Sequence, residues 1–133
     1  MSLVNCLKSL MFLIVDNTEE SKVIFHFWLN NKFVQRIFTT TKNNGILVCL
    51  EKLLSGLKLK LKDIKYLGVV VGAGRFTATR LAVTAANTLA FSLKIPVVAL
   101  PKNFDPAVAL KLVKSAVVGK YVVPTYSAEA RIG

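Results

Sequence analysis

The amino-acid sequence predicts a single α/β domain built on a mixed β-sheet. Three strand-length segments open the chain before any helical pattern, and later strand-length apolar runs alternate with helix-length segments. Hydrophobic residues make up 53% of the 133 residues, yet no apolar run reaches the length needed to cross a bilayer. A chain of this length corresponds to one domain, so we expect residues 1–133 to fold as a unit.

The first 40 residues predict three strands. Leu10–Val15 is wholly apolar and ends at Asp16, as expected of a buried strand. Lys22–Leu29 alternates between two faces, and Asn30-Asn31 can form a two-residue turn into a third strand over Lys32–Thr40. These strands therefore predict an antiparallel meander.

The remainder of the chain alternates helices with strands. An N-cap aspartate followed by proline marks the start of the last helix. The predicted elements are helix Ile46–Leu57, strand Tyr66–Val71, helix Phe76–Leu93, strand Ile95–Leu100, a helix from Asp105-Pro106 to about Val118, and a short strand that could follow at Tyr121–Val123. A meander leading into parallel βα units, in the order β-β-β-α-β-α-β-α, predicts a ribonuclease H-like fold, because doubly wound dinucleotide-binding folds lack the meander.

Charge and cysteine content limit the compartment and the partners. Eighteen basic residues against seven acidic ones give a net charge of +11, which would attract nucleic acid or an acidic protein, or serve only solubility. Cys6 and Cys49 lack metal or redox spacing, and no cleavage site follows the apolar start. We therefore expect a cytoplasmic protein with reduced thiols and no membrane segment.

Few residues suggest chemistry. The Gly72–Gly74 turn between a strand and a helix could cradle an anion or serve only as a tight turn. Asp16 could coordinate a metal–phosphate or cap the turn that follows it. His26, the only histidine, lies in mid-strand between aromatic residues, as expected of a packing residue. These residues predict no catalytic set, no metal site and no cofactor.

The span from Leu10 to Leu100 resembles the N-terminal domain of the TsaB (YeaZ) family. The family signature Gly-Pro-Gly-Ser-Phe-Thr-Gly-Leu-Arg is matched at five of nine positions: Gly72, Gly74, Phe76, Thr77 and Arg80. Asp16-Asn17-Thr18 is similar to the family's strand-ending Asp-Thr-Ser, and Val123–Tyr126 to its Pro-x-Tyr tail. Ala73, Arg75, Ala78 and Thr79 depart from the signature.

The resemblance implies a non-catalytic scaffold subunit in the synthesis of tRNA N6-threonylcarbamoyladenosine (t6A), with the actin/Hsp70 ATPase type of fold. It implies a TsaD-like catalytic partner, a TsaE-like ATPase in the assembled complex, and a homodimer when the chain is alone. Family members carry a second domain, for which residues 101–133 offer only a short helix and the tail. We therefore expect a minimal, one-domain form in which the motif is a vestigial phosphate loop without ATPase activity.

Two helices carry surplus apolar surface that the resemblance connects with partner binding. Helix Ile46–Leu57 is apolar on more than one side, and helix Phe76–Leu93 is lined with alanines. The predicted interface residues are Leu47, Leu50, Leu54, Leu81, Ala85, Thr88 and Leu89, and charged residues at Leu50 and Ala85 should disrupt association without unfolding the chain. Two alternatives stay open: a basic RNA-binding module, with tRNA contacted through the basic surface, and an enzyme that binds phosphate through Asp16 and Gly72–Gly74.

Overall fold

A computed structural model of the chain describes residues 11–29, 32–41, 44–72 and 76–123. These ranges contain the strands β1 (Met11–Asp16), β2 (Lys22–Leu29), β3 (Lys32–Thr39), β4 (Ile64–Val70) and β5 (Val97–Leu100), and the helices α1 (Ile46–Gly56), α2 (Phe76–Leu93) and α3 (Pro106–Lys114). A single 3₁₀ turn over Leu61–Asp63 precedes β4. No helix in these ranges is long and apolar enough to cross a bilayer.

The strands form one mixed sheet in the order β3-β2-β1-β4-β5. The first three pair antiparallel, as the predicted meander requires, with Phe12 of β1 opposite Trp28 of β2. Strands β4 and β5 continue the sheet parallel to β1, with Leu13 in register with Leu67. The predicted mixed sheet is therefore confirmed, although the turn residues Asn30 and Asn31 lie outside the described residues.

Helices cover both faces of the sheet. On one face α1 and α2 pack over a cluster that includes Leu13, Phe25, Leu50, Leu67 and Ala86. On the other face α3 packs over a smaller cluster of Phe12, Ile14, Val70, Leu100, Ala109 and Val113. Each side chain of β1 is buried, because alternate residues of this strand point into the two clusters.

The end of the described chain differs from the sequence prediction. Helix α3 ends at Lys114 and not near Val118, and the Ser115 hydroxyl donates to the Leu112 carbonyl in its last turn at 3.1 Å. Tyr121–Val123 forms no strand. Instead the Asn87 side chain of α2 donates to the Val122 carbonyl and accepts from the Val122 N–H, both at 2.9 Å. One side-chain amide thus replaces the strand pairing that the apolar sequence predicted.

Gly68 lets β4 approach its neighbours at the centre of the sheet. A Cβ atom at this position would lie 3.0 Å from Cδ1 of Leu100 and 3.2 Å from Cγ1 of Ile14. Both side chains are buried beneath α3, so neither can move away without disturbing the smaller cluster. The glycine is therefore required by close packing.

We expect Gly68→Ala to lower the free energy of unfolding by about 1–3 kcal/mol, because a methyl group would overpack the core. Gly56→Ala is the matched control: its Cβ would meet no atom within 4 Å, and alanine favours the helix. Chemical denaturation of both variants measures the difference. Equal stabilities would contradict this account of the sheet centre.

Candidate functional site

The carboxyl end of β1 holds a buried carboxylate, Asp16, only 2% exposed. Its Oδ1 accepts from the Thr18 backbone N–H at 2.9 Å and from the Thr18 hydroxyl at 2.6 Å. Its Oδ2 accepts from Nζ of Lys102 at 2.7 Å, and the same ammonium donates to Oε2 of Glu19 at 3.1 Å. Asp16 thus caps the turn after β1 and forms an ion pair.

Sequence reasoning missed Lys102, which lies 86 residues from Asp16. It lies two residues after the end of β5, and β4 lies between β5 and β1 in the sheet. The lysine side chain therefore reaches across the carboxyl end of β4, where the glycine-rich turn begins. The carboxyl ends of parallel strands meet at one edge of a sheet, so a basic residue just after a predicted parallel strand was the signal that could have placed Lys102 near Asp16.

The ion pair sets the charge state of this edge. Burial by itself would raise the pKa of Asp16, but the hydrogen bonds from Lys102 and Thr18 outweigh it and hold that pKa below its ordinary value. For Lys102 burial favours the neutral amine, and the two carboxylates overcome this and raise its pKa. The carboxylate is thus ionised and accepts three hydrogen bonds within the fold. Among the described residues no three metal-ligating side chains cluster, here or elsewhere.

The glycine-rich turn is only partly described. Gly72 has a φ of 81°, which favours glycine, while Ala73, Gly74 and Arg75 lie outside the described residues. Phe76 opens α2, and Thr77 and Arg80 are exposed in the first turns of this helix. The Asn17 amide donates to the Ala78 carbonyl at 3.2 Å, which joins the end of β1 to the start of α2.

The other polar candidates serve packing. The His26 ring stacks on Phe33 with centroids 5.9 Å apart and meets Phe104 edge-on at 5.1 Å. Burial lowers the pKa of His26, which keeps the imidazole neutral near pH 7. Burial likewise raises the pKa of the Cys49 thiol, so this cysteine is a poor nucleophile. Cys6 lies outside the described residues.

A candidate binding surface is a groove between α1 and α2, with a volume of about 610 Å³. Its walls include Leu47 of α1 and Leu81 of α2, which are 54% and 57% exposed. Ala85 and Thr88 also line the groove on the α2 side, and so does Arg80 near the start of that helix. We call this surface the α1–α2 groove. Four of the seven residues predicted for partner binding line it.

The other three predicted interface residues belong to the core. Leu50, Leu54 and Leu89 are 2%, 4% and 8% exposed and pack in the larger cluster. They line a second depression, which adjoins the α1–α2 groove at Leu47 and Val48. Their burial corrects one expectation, because a charged residue at Leu50 would unfold the core and would not report on association. The exposed residues of the α1–α2 groove are the proper test positions.

Comparison with known proteins identifies the family. The family model described as "TsaD: tRNA N6-adenosine threonylcarbamoyltransferase" matches residues 36–103, slightly more than half of the chain. The chain belongs to this family. Its curated relatives are TsaB proteins, which confirms the TsaB resemblance and associates the family with t6A biosynthesis.

Two relatives are TsaB proteins of Buchnera aphidicola, named as tRNA threonylcarbamoyladenosine biosynthesis proteins. The protein from the subspecies of Schizaphis graminum is 40% identical over 52 residues, 39% of this chain and 25% of the relative. The protein from the subspecies of Acyrthosiphon pisum is 36% identical over 55 residues, 41% and 25% of the two chains. The matched segment thus spans a quarter of the length of these relatives.

Solved structures show the same fold. YeaZ from Pseudomonas aeruginosa superimposes with a TM-score of 0.61 and 21% identity, covering 69% of this chain and 43% of YeaZ. A second structure, described as similar to peptidase YeaZ from Pseudomonas aeruginosa, gives a TM-score of 0.59 and 19% identity with the same coverage. The predicted ribonuclease H-like fold is therefore confirmed.

The Asp16–Lys102 pair predicts a pH-dependent effect of Lys102→Met. The depressed pKa of Asp16 contributes stability above the unfolded-state pKa, and this contribution is lost as the pH falls through the folded-state pKa. We expect the variant to lose about 1–3 kcal/mol at pH 7, less than a fully buried pair would, because Lys102 is 40% exposed. The loss should shrink below pH 4.

Denaturation of Lys102→Met and of a control, Lys22→Met, at pH 7 and pH 3 measures this effect. Lys22 is exposed near the same edge of the sheet, at the start of β2. A loss for Lys102→Met that is equal at both pH values would contradict the coupling to Asp16.

Proposed function

We propose that this chain is a non-catalytic subunit in t6A synthesis that binds and activates a TsaD-like catalytic subunit through the α1–α2 groove. The observation that carries the proposal is the pair of exposed leucines, Leu47 and Leu81, on facing walls of one groove in a TsaB-family chain. The cytoplasm, where tRNA is modified, is the proposed location.

The composition of the groove supports helix packing. Single exposed apolar residues are common on protein surfaces. Here three of them, Leu47, Val48 and Leu81, line the same groove from two helices. Beside them lie short side chains, Thr84 and Ala85, which allow a partner helix to approach closely. Apolar side chains at the centre with hydroxyls around them are typical of interface cores.

The same surface supports self-association when no partner is present. A two-fold interface brings one patch against its own copy, so the groove of one chain can pack on the groove of another. We propose that the TsaD-like subunit replaces this contact with a related one of higher affinity. A TsaE-like ATPase would then join the assembled pair and supply the ATPase activity.

The non-catalytic role is supported by the state of Asp16. A carboxylate that positions a metal–nucleotide needs unoccupied lone pairs, and Asp16 already accepts three hydrogen bonds within the fold. The Lys102 ammonium neutralises the Asp16 carboxylate. The Asp16 carboxylate and the Lys102 ammonium thus form interactions within the fold.

We expect Leu47→Glu/Leu81→Glu to weaken binding of the TsaD-like subunit at least tenfold, because two charges would be buried at the interface core. The matched control is Val108→Glu/Leu112→Glu on α3, at the other face of the sheet. Val108 is 54% exposed and Leu112 is 47% exposed, close to the values for the groove leucines. Pull-down and sedimentation, with circular dichroism to verify folding, measure the effect.

Unchanged partner binding by the folded groove variant, or equal losses in both double variants, would contradict the proposal. Dissociation of the homodimer by the groove variant alone would support the shared surface.

A further inference from the structure

Charge is divided between the two ends of the sheet. Four of the six acidic residues in the described ranges lie near the carboxyl ends of the parallel strands: Asp16, Glu19, Glu20 and Asp105. Strands β1, β4 and β5 run in one direction, and α1, α2 and α3 return in the other. The C-termini of α1 and α2 and the amino ends of β4 and β5 therefore share the opposite end.

That opposite end is basic. The segments entering β4 and β5 place five exposed lysines there: Lys58, Lys60, Lys62, Lys65 and Lys94. We call these residues the basic end. Asp63, the acidic residue in the same segment, accepts from the Lys60 backbone N–H at 2.8 Å and caps the 3₁₀ turn. Glu51 lies more than a turn back along α1.

Leucine and lysine alternate in the segment that leads into β4. From Leu57 to Lys62 each leucine is followed by a lysine. Leu59 is buried in the larger cluster, with 8% exposure, while its lysine neighbours are exposed. Burial of Leu59 thus leaves Lys58 and Lys60 exposed on either side of it, whereas Leu61 is itself 45% exposed.

Two of these lysines occupy backbone positions that normally favour glycine. Lys58 follows α1 with a φ of 59°, and Lys94 follows α2 with a φ of 57°. In both places the next residue donates back into the helix, Leu59 to the Leu54 carbonyl and Ile95 to the Ala90 carbonyl. A long charged side chain therefore stands at both helix ends where glycine would be unstrained.

We propose that the basic end binds the phosphate backbone of RNA. Lysines are point charges that suit phosphate, and a row of them needs no base contacts. A protein partner fits less well, because lysine is depleted at the centres of protein interfaces, which favour aromatic residues and arginine. Residues 57–65 contain neither. This surface lies at the other end of the helices from the first turns of α1 that line the α1–α2 groove, so both could be occupied together.

The backbone geometry provides an unusually clean test, Lys58→Gly/Lys94→Gly. Glycine suits a positive φ, so the variant removes two charges without straining the helix ends. We expect its affinity for an unmodified tRNA transcript to fall roughly tenfold. The slope of log Kd against the logarithm of the salt concentration should decrease by about 1.5–2. Its unfolding midpoint should match that of the unaltered chain. Fluorescence anisotropy at several salt concentrations measures binding.

The control, Lys22→Gln/Arg36→Gln, removes two charges from strands β2 and β3 outside the basic end and should bind the transcript with a smaller loss. Equal losses in the two variants would overturn the proposal, since net charge alone would then govern binding. Displacement of the transcript by polyglutamate of matched charge would also overturn it, in favour of an acidic protein.

The inference is independent of the proposed partner interaction, and a pull-down with the TsaD-like subunit separates the two. Lys58→Gly/Lys94→Gly should keep that interaction, and Leu47→Glu/Leu81→Glu should keep transcript binding. Transcript binding without partner binding in the unaltered chain would refute the proposed function alone. The reverse result would refute the basic end alone.

Discussion

Strand β1 is apolar from Met11 to Val15, and both of its faces must be removed from water. The alternating side chains of Met11–Val15 enter two different clusters, so the sheet needs helices on both sides. Its edges are likewise occupied, by antiparallel β2 and parallel β4. The three-layer arrangement follows from these demands, and with it the position of α1 and α2 side by side on one face. The groove between those helices is thus a consequence of covering β1.

The burial of β1 also determines what happens at its end. The strand delivers Asp16 to a place where water is excluded, and an isolated carboxylate there would be costly. Thr18 and Lys102 compensate that cost with three hydrogen bonds to the carboxylate. Asp16 thus stabilises the end of β1, which is consistent with the assembly role proposed above.

Local sequence patterns predicted most of the helices and strands, but they did not predict contacts between residues far apart in the sequence. The bounds of β2 and α2 follow from period-two alternation and from an uninterrupted helical run, and both agree with the structure. The strand predicted at Tyr121–Val123 was wrong. The segment is apolar like a strand, but the backbone of Val122 pairs with the Asn87 side-chain amide of α2. Lys102 was missed because nothing local connects it with Asp16. In α1, Leu50 is buried whereas Leu47 is exposed. Their hydrophobicity could not distinguish the two positions, because this helix carries apolar residues on more than one side.

The most direct test of the central claim is t6A formation on a tRNA transcript by the host's TsaD-like subunit and its ATPase, with and without this chain. The decisive variant is Asp16→Asn/Lys102→Met, which removes both charges at the end of β1 while leaving an oxygen to accept from Thr18. We predict that modification requires the chain and proceeds equally well with this variant. Modification without the chain, or its loss in the variant while partner binding persists, would contradict a scaffold role.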